Sequence, residues 1–458
     1  MIQLKHIKLR NFKCFSNELS LELSRLTLLT GANSTGKSSI MYGVLGALQS
    51  PRFPFEFSPN GRYVNMGNFS EMVFGHDKSL PIGISFTLLE DGKIIDIDTT
   101  WKYGEINEQP VLSKYEAHSE DFDFVIIPKE DGVASEYLLS IDYRPNKNLI
   151  HNSQFIESLM SNISRIVELY KLAHHGEDIT NDLMAGYQQH TILDNILLKV
   201  EGKGISCPNN VQATVAFGIV DDKIRDSIKN FQNKMNFISS YRLPGERTYL
   251  EESLENGKIH ASGKGFVNQL LHWRESNRQN YESLISAMRS MGVLYDIEPE
   301  RIGSGQFKLG VTVHKDGPTA LLTDVGFGIS QLLPVIVGDI ELGEDSTLFT
   351  AQPEIHLHPN AQANYADYLI RQLDNKKNYV IETHSEYLLN RIRLAIVKDK
   401  LNEDDIRVYY LSQDRDSSRL YNVRFTKSGQ IIGAPKDFFE TYMIDVMDIA
   451  MEAVENEA

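Results

Sequence analysis

Cysteine is scarce in this chain: Cys14 and Cys207 are the only two among 458 residues. Two thiols so far apart exclude a disulfide framework and a cysteine-rich zinc site, and are expected to be packed thiols. Long apolar runs are absent too, since no stretch of about 18 apolar residues occurs, so no membrane-spanning helix and no membrane partner are expected. The opening MIQLKHIKLRNFK alternates apolar and polar residues, unlike the continuous apolar core of a signal peptide, and a cytoplasmic location is expected. Positive charge is in deficit. A formal net charge of −16 repels phosphate and argues against nonspecific nucleic-acid affinity spread over the whole surface. DNA contact then needs a local basic groove or a basic partner. There is no internal repeat at fixed period and no low-complexity tract, which excludes a solenoid. What remains, 41% hydrophobic and 24% charged, is the composition of a globular protein with room for two or three packed units.

Residues 1–30 carry period-two apolar runs that read as short strands leading into a glycine turn, followed by a helix, SSIMYGVLGALQ, that ends before Pro51. Strand-like runs return in GISFTLL, KIIDIDTTW and FDFVIIP. Over 149–235 the apolar residues fall three and four apart, as in ESLMSNISRIVELYKLAHH and KIRDSIKNFQNKMNF, and amphipathic helices are expected. From 236 strands and helices alternate: a helix over 266–291, then FKLGVTV, a helix after Gly328, TLFTA, a helix from about Ala361, YVIETH and a helix from Ser385. That alternation predicts an α/β fold with a mixed or parallel sheet, split by a helical insertion. The expected organisation is an N-terminal lobe over 1–148, the insertion over 149–235 and a C-terminal lobe over 236–458.

GANSTGKSS fits G-x-x-x-x-G-K-[ST] with Gly31, Gly36, Lys37 and Ser38. The glycines let the backbone of Ala32, Asn33, Ser34 and Thr35 curl with its N–H groups toward phosphate, and the helix opening at Ser38 and Ser39 offers its positive end. Lys37 is placed to reach the outer phosphates and Ser38 to face magnesium, so ATP and Mg²⁺ are the expected ligands. Farther on, TDVGFGISQLLPVIV sets Gly326, Gly328 and Ser330 before an apolar helix, a second candidate anion turn. The stretch LFTAQPEIHLHP follows, and in YVIETHSEYLL His384 ends an apolar strand.

These blocks, in this order, resemble the SMC- and RecF-like ATPases with ABC-type heads. DVGFGISQLLP, QPEIHLHP and ETHSEYLLNRIR, with SSYRLPGERTY over 239–249, are similar to the OLD-type branch found in bacterial anti-phage systems, and most of all to the PtuA family of Septu systems. The resemblance covers both ends of the chain and leaves roughly 100–235 unmatched. It implies that Asn11 and Lys13 lie near the nucleotide, that Gly328 and Ser330 serve as the signature turn facing the nucleotide of a second copy in a homo-oligomer, and that His384 is the switch histidine.

The sequence departs from that family at two positions. The acid that holds Mg²⁺ through water falls at Ala351, which offers no lone pair. The water-activating glutamate falls at Gln352, whose amide can orient water but cannot take its proton. Losing a general base costs about 10² to 10⁴ in rate, so hydrolysis is expected to be weak or absent while binding persists. Glu354 or Glu382 could stand in for a missing acid, although a two-residue step along a strand moves a side chain by about 6.6 Å, which makes Glu354 an imperfect substitute.

No nuclease constellation is visible. Glu403, Asp404 and Asp405 read as a solvated loop, and His356 and His358 suit a dimer-facing loop better than zinc. The favoured reading is therefore a nucleotide-binding regulatory subunit that holds a separate HNH-type, PtuB-like nuclease, with DNA reached through the complex. The alternative is an active, DNA-stimulated ATPase of SMC-like repair or of a PARIS-like sensor, with a basic groove from Lys223, Arg225, Lys229 and Lys234. A small-molecule kinase would leave His384 and the signature-like turn without a role.

Overall fold

A computed structural model describes residues 2–105, 107–129, 136–144, 190–201, 204–207, 210–252, 258–414, 417–435 and 438. In chain order the strands are β1 (Ile2–Arg10), β2 (Leu19–Glu22), β3 (Leu26–Gly31), β4 (Ile82–Glu90), β5 (Lys93–Tyr103), β6 (Pro110–Ser119), β7 (Phe122–Pro128), β8 (Glu136–Tyr143), β9 (Thr191–Glu201) and β10 (Gly204–Ser206). They continue with β11 (Met235–Ile238), β12 (Tyr249–Leu250), β13 (Asp296–Gly303), β14 (Gln306–Thr312), β15 (Thr319–Leu321), β16 (Thr347–Ala351), β17 (Asn378–Glu382), β18 (Ile406–Asp414), β19 (Ser417–Phe425) and β20 (Ile431–Ile432). The chain forms two compact units, one of residues 1–12, 46–59 and 66–233 and one of residues 13–45, 60–65 and 234–458.

The first unit is an antiparallel meander in the order β10-β9-β8-β7-β6-β5-β4-β1. Alternation builds it. In β5 the side chains of Ile95, Ile97, Thr99 and Trp101 are buried while Asp96 and Asp98 between them point the other way. The helix Val211–Asn233 packs against β1, β8 and β9. The expected helical insertion over 149–235 is thus corrected at 191–206, where β9 and β10 extend the meander; the apolar residues of TILDNILLKVE, with Ile192, Ile196 and Val200 four apart, carry no period-two signal, and cross-strand pairing with β8 decides the strand. Residues 149–189 of that expectation lie outside the described residues. On Val211–Asn233, Lys223 pairs with Asp121 at 2.6 Å and Arg225 with Asp221 at 2.5 Å, so two of the four cations of the anticipated basic groove are neutralised by this unit's own acids.

The second unit centres on a sheet in the order β11-β16-β17-β3-β18-β19-β20, parallel from β11 to β18 and antiparallel beyond. Every residue of β3 and β16 is buried, as expected of parallel strands covered on both faces, and the run LTLLTG shows no alternation for that reason. The phosphate-loop strand β3 lies between β17 and β18, so the residues at its end meet those ending both neighbours. A smaller sheet of β12 to β15 and the helices Phe266–Ser276 and Arg278–Ser290 belong to the same unit. The single helix expected over 266–291 is two, because Asn277 leaves helical geometry at φ −141° and its side chain caps Asn280 N at 3.2 Å.

One buried polar cluster ties this unit's layers together. Asp339, on the helix Phe327–Leu342, accepts from the hydroxyls of Tyr368 and Tyr379 and pairs with Lys377 at 3.2 Å. Among the described residues no helix is long and apolar enough to cross a membrane.

Candidate nucleotide site

β3 delivers the chain into the loop at Gly31, where φ is +130° and an added Cβ would stand 2.0 Å from Leu411 O of β18. Only glycine fits that approach. The loop backbone passes Asn33 and Ser34, both exposed, while Thr35 is buried with its hydroxyl on Ala32 O at 2.9 Å. Cys14 packs beneath the loop, its Sγ 3.6 Å from Thr35 O, and burial raises its thiol pKa. Cys207 is likewise a buried thiol, pushed up to about 12.

The helix Lys37–Gln49 starts at the loop's end, and Lys37, Ser38 and Ser39 form its first turn. Lys37 is buried, with Nζ donating to Gly31 O at 3.1 Å and Ala32 O at 2.6 Å. Burial lowers its pKa, and Glu382 acts the opposite way. A desolvated ammonium held only by carbonyls gains most from an anionic ligand, the role a phosphate-loop lysine takes.

The neighbouring strand ends differ in what they offer. Ala351 and Glu382 are register partners on β16 and β17, and Glu382 in turn pairs with Leu29 of β3. Ala351 contributes a methyl group. Glu382, 5% exposed, accepts from Ser38 Oγ at 2.5 Å, and desolvation raises its pKa against the opposing pull of the Ser38 hydrogen bond and Lys37. A hydroxyl and a carboxylate converging beside Lys37 are hard oxygen donors of the kind Mg²⁺ takes, so the residues present fit that ion even though Ala351 does not.

Of the two acids that sequence spacing left open, geometry separates the roles. Glu354 is buried, and its Oε1 accepts from Thr383 Oγ1 at 2.7 Å and from His384 N at 2.8 Å. It fixes the backbone that carries His384 rather than facing Ser38. Gln352 follows β16 with φ +48°, its N donating to Glu382 O at 2.7 Å. His384 lies just past β17, and partial burial together with the Lys37 charge lowers its pKa, which favours the neutral ring.

The signature-like turn is built by packing. Gly328 needs to be glycine because a Cβ would come within 2.4 Å of His356 O, while Gly326 has an ordinary negative φ. Ser330 is buried with its hydroxyl on Phe327 O at 2.8 Å, and Phe327 is 49% exposed with its ring edge on His356. His358 caps the helix Pro359–Leu373. Asn11 belongs to the first unit and donates to Pro81 O at 2.8 Å, whereas Lys13 belongs to the second; both have left-handed backbones, at φ 50° and 52°. The structure thus brings Gly31, Thr35, Lys37, Ser38, Gln352 and His384 to one end of the parallel sheet. Spacing did not single out Arg242, whose guanidinium lies beneath that end.

A strand, a phosphate loop and a helix beside parallel strands that end in polar residues define a nucleotide-binding fold of the mixed α/β ATPase class. The AAA ATPase domain family matches residues 2–389, and the chain belongs to that family. No curated protein matches it. Among solved structures it is similar to the SMC head domain from Thermotoga maritima, with 10% identity, 92% of this chain and 99% of that one covered, and a TM-score of 0.40. A second is the Smc head domain with an extended coiled coil bound to the C-terminal domain of ScpA, derived from Pyrococcus furiosus: 10% identity, 99% and 100% covered, TM-score 0.42. A third, the SmcHead bound to the C-winged helix domain of ScpA, shows 10% identity, 93% and 98% coverage and a TM-score of 0.40.

Proposed function

We propose that the chain binds ATP with Mg²⁺ and works as a slow nucleotide switch, a regulatory and scaffold subunit that assembles through its heads and holds a separate HNH-type nuclease in an anti-phage complex. The observation that carries the reading is the meeting of Lys37, Ser38 and Glu382 at the sheet's end; beside them the position that the resemblance gives to the general base holds Gln352, a neutral amide. Ser38 and Glu382 would hold the ion, which when bound neutralises phosphate charge. Lys37 binds the outer phosphates, and His384 is available as a hydrogen-bond partner for the terminal one. No group at Gln352 removes the proton of an attacking water, so turnover is slow. A slow switch responds to nucleotide by its different affinities for two arrangements. The nuclease partner and the anti-phage setting are supported by the similarity of DVGFGISQLLP, QPEIHLHP and ETHSEYLLNRIR to the PtuA blocks. Co-purification with an HNH protein encoded beside this chain, with nuclease activity followed against ATP, tests them.

Glu382 favours a second reading. An acid paired with Ser38 restores much of what Ala351 lacks, and an active ATPase stimulated by DNA, as in SMC-like repair or a PARIS-like sensor, is its consequence. Phosphate release with magnesium, with and without DNA, separates the two: rapid DNA-stimulated turnover selects the second.

A further inference from the structure

Arg242 lies in the stretch SSYRLPGERTY, which the nucleotide site itself leaves without a function. It is 3% exposed, and burial lowers its pKa only to about 10, so it is a buried cation at neutral pH. Its fork reaches three separate pieces of chain. Nε donates to Ser239 O at 2.9 Å, one terminal nitrogen to Gln331 O at 3.0 Å, and the other to Ala351 O at 2.5 Å and Gln352 O at 2.9 Å. Gln331 follows Ser330 in the first turns of the helix Phe327–Leu342, and Ala351 and Gln352 end β16 beside Glu382. Two more contacts continue the connection. Gln352 N is bonded to Glu382 O, and the Glu354 carboxylate holds His384 N. At the far end Gly328 rests against His356 O with no room for a Cβ.

We propose that Arg242 is a positioning residue that couples the chain's own nucleotide site to the Gly326–Ser330 turn it presents to a second copy, with residues 351–357 as the moving part. A change at Glu382 or His384 when nucleotide arrives shifts the backbone of Gln352 and Glu354. That shift reaches the turn by two routes, through the guanidinium to Gln331 and through His356 to Gly328. A planar fork is required, because a single ammonium cannot keep carbonyls on the helix and on β16 at once. The coupling is reciprocal, so contact at the turn would also tighten nucleotide at Lys37. The proposal rests on the reading that the chain binds ATP and pairs through its heads.

The test uses the full chain, with Mg-ATP as the probe. Hydrogen exchange is followed at a protein concentration where the chain is monomeric, and association by sedimentation at a higher one. In wild type, ATP should protect the amides of 351–357 and of 326–331 together. Arg242→Lys should bind ATP within about threefold of wild type, lose the protection of 326–331, and need roughly tenfold more protein to associate. Protection in wild type that stops at the phosphate loop and at 382–384 overturns the proposal without any variant, and so does an Arg242→Lys protein that associates with ATP as wild type does. If wild type binds no ATP, or binds it and never associates, the slow-switch reading fails and the relay falls with it; the first two outcomes sink the relay alone.

Discussion

Glu382, at the end of β17, and Ser38, in the first turn of the helix Lys37–Gln49, meet at 2.5 Å, and the register partner of Glu382 on β16, Ala351, presents only a methyl group. Position in the fold, rather than position in the motif, decides which acid serves the phosphate loop. The two side chains should act as a unit. In a cycle of Ser38→Ala, Glu382→Gln and the double variant, Mg-ATP affinities measured by calorimetry should be non-additive by about 0.5–3 kcal/mol. Additive losses would mean that the two do not share a cation.

The proposed slow turnover is traced to Gln352. Gln352→Glu places a carboxylate at the end of β16 with little change of volume, and phosphate release should rise about 10²- to 10⁴-fold over wild type. A wild type already turning over at the rate of the variant would point to a base elsewhere.

Acid should loosen the metal site earlier than an ordinary glutamate predicts. Burial raises the Glu382 pKa, and the proton has to leave before the carboxylate can hold a cation. Mg-ATP affinity should therefore fall on acidification with a midpoint above the range of an ordinary glutamate, and Glu382→Gln should flatten that dependence. The sign for stability follows from the same shift. A raised carboxyl pKa favours folding below its unfolded value and loses that contribution as pH rises through the folded one. Unliganded Glu382→Gln should accordingly melt higher than wild type at neutral pH, and lower or equal melting would contradict the assignment.

How much of this was legible in advance depends on whether the signal was local. The loop from Gly31 to Ser39 obeys a spacing rule imposed by phosphate, and β3, β16 and β17 are apolar runs bounded by polar residues, so the strand, loop and helix were readable. Spacing leaves Glu354 and Glu382 as alternatives; the fold sets Glu382, ending β17, beside Ser38 and turns Glu354, past the end of β16, toward His384 N. Arg242 could be located but not given a role, because its partners are carbonyls of Gln331, Ala351 and Gln352, which leave no mark on side-chain pattern. β9 is hidden for a related reason: its own apolar residues, such as Ile192, Ile196 and Val200, are spaced like those of a helix, and pairing with β8 makes it a strand.

The buried cluster around Asp339 predicts the largest stability loss away from the site. Asp339→Ala strands Lys377, 5% exposed, without its counter-charge and leaves two tyrosine hydroxyls unpaired. Denaturant unfolding should show a loss of about 3–5 kcal/mol. A loss below ~1 kcal/mol would mean that water replaces the carboxylate.

Titrating Mg²⁺ into wild-type and Glu382→Gln proteins at fixed ATP, with nucleotide binding followed by fluorescence, tests the metal site most directly. Mg²⁺ should tighten ATP in wild type, and the variant should keep its metal-free affinity but lose most of that gain. Equal tightening in both proteins would show that Glu382 does not hold the ion.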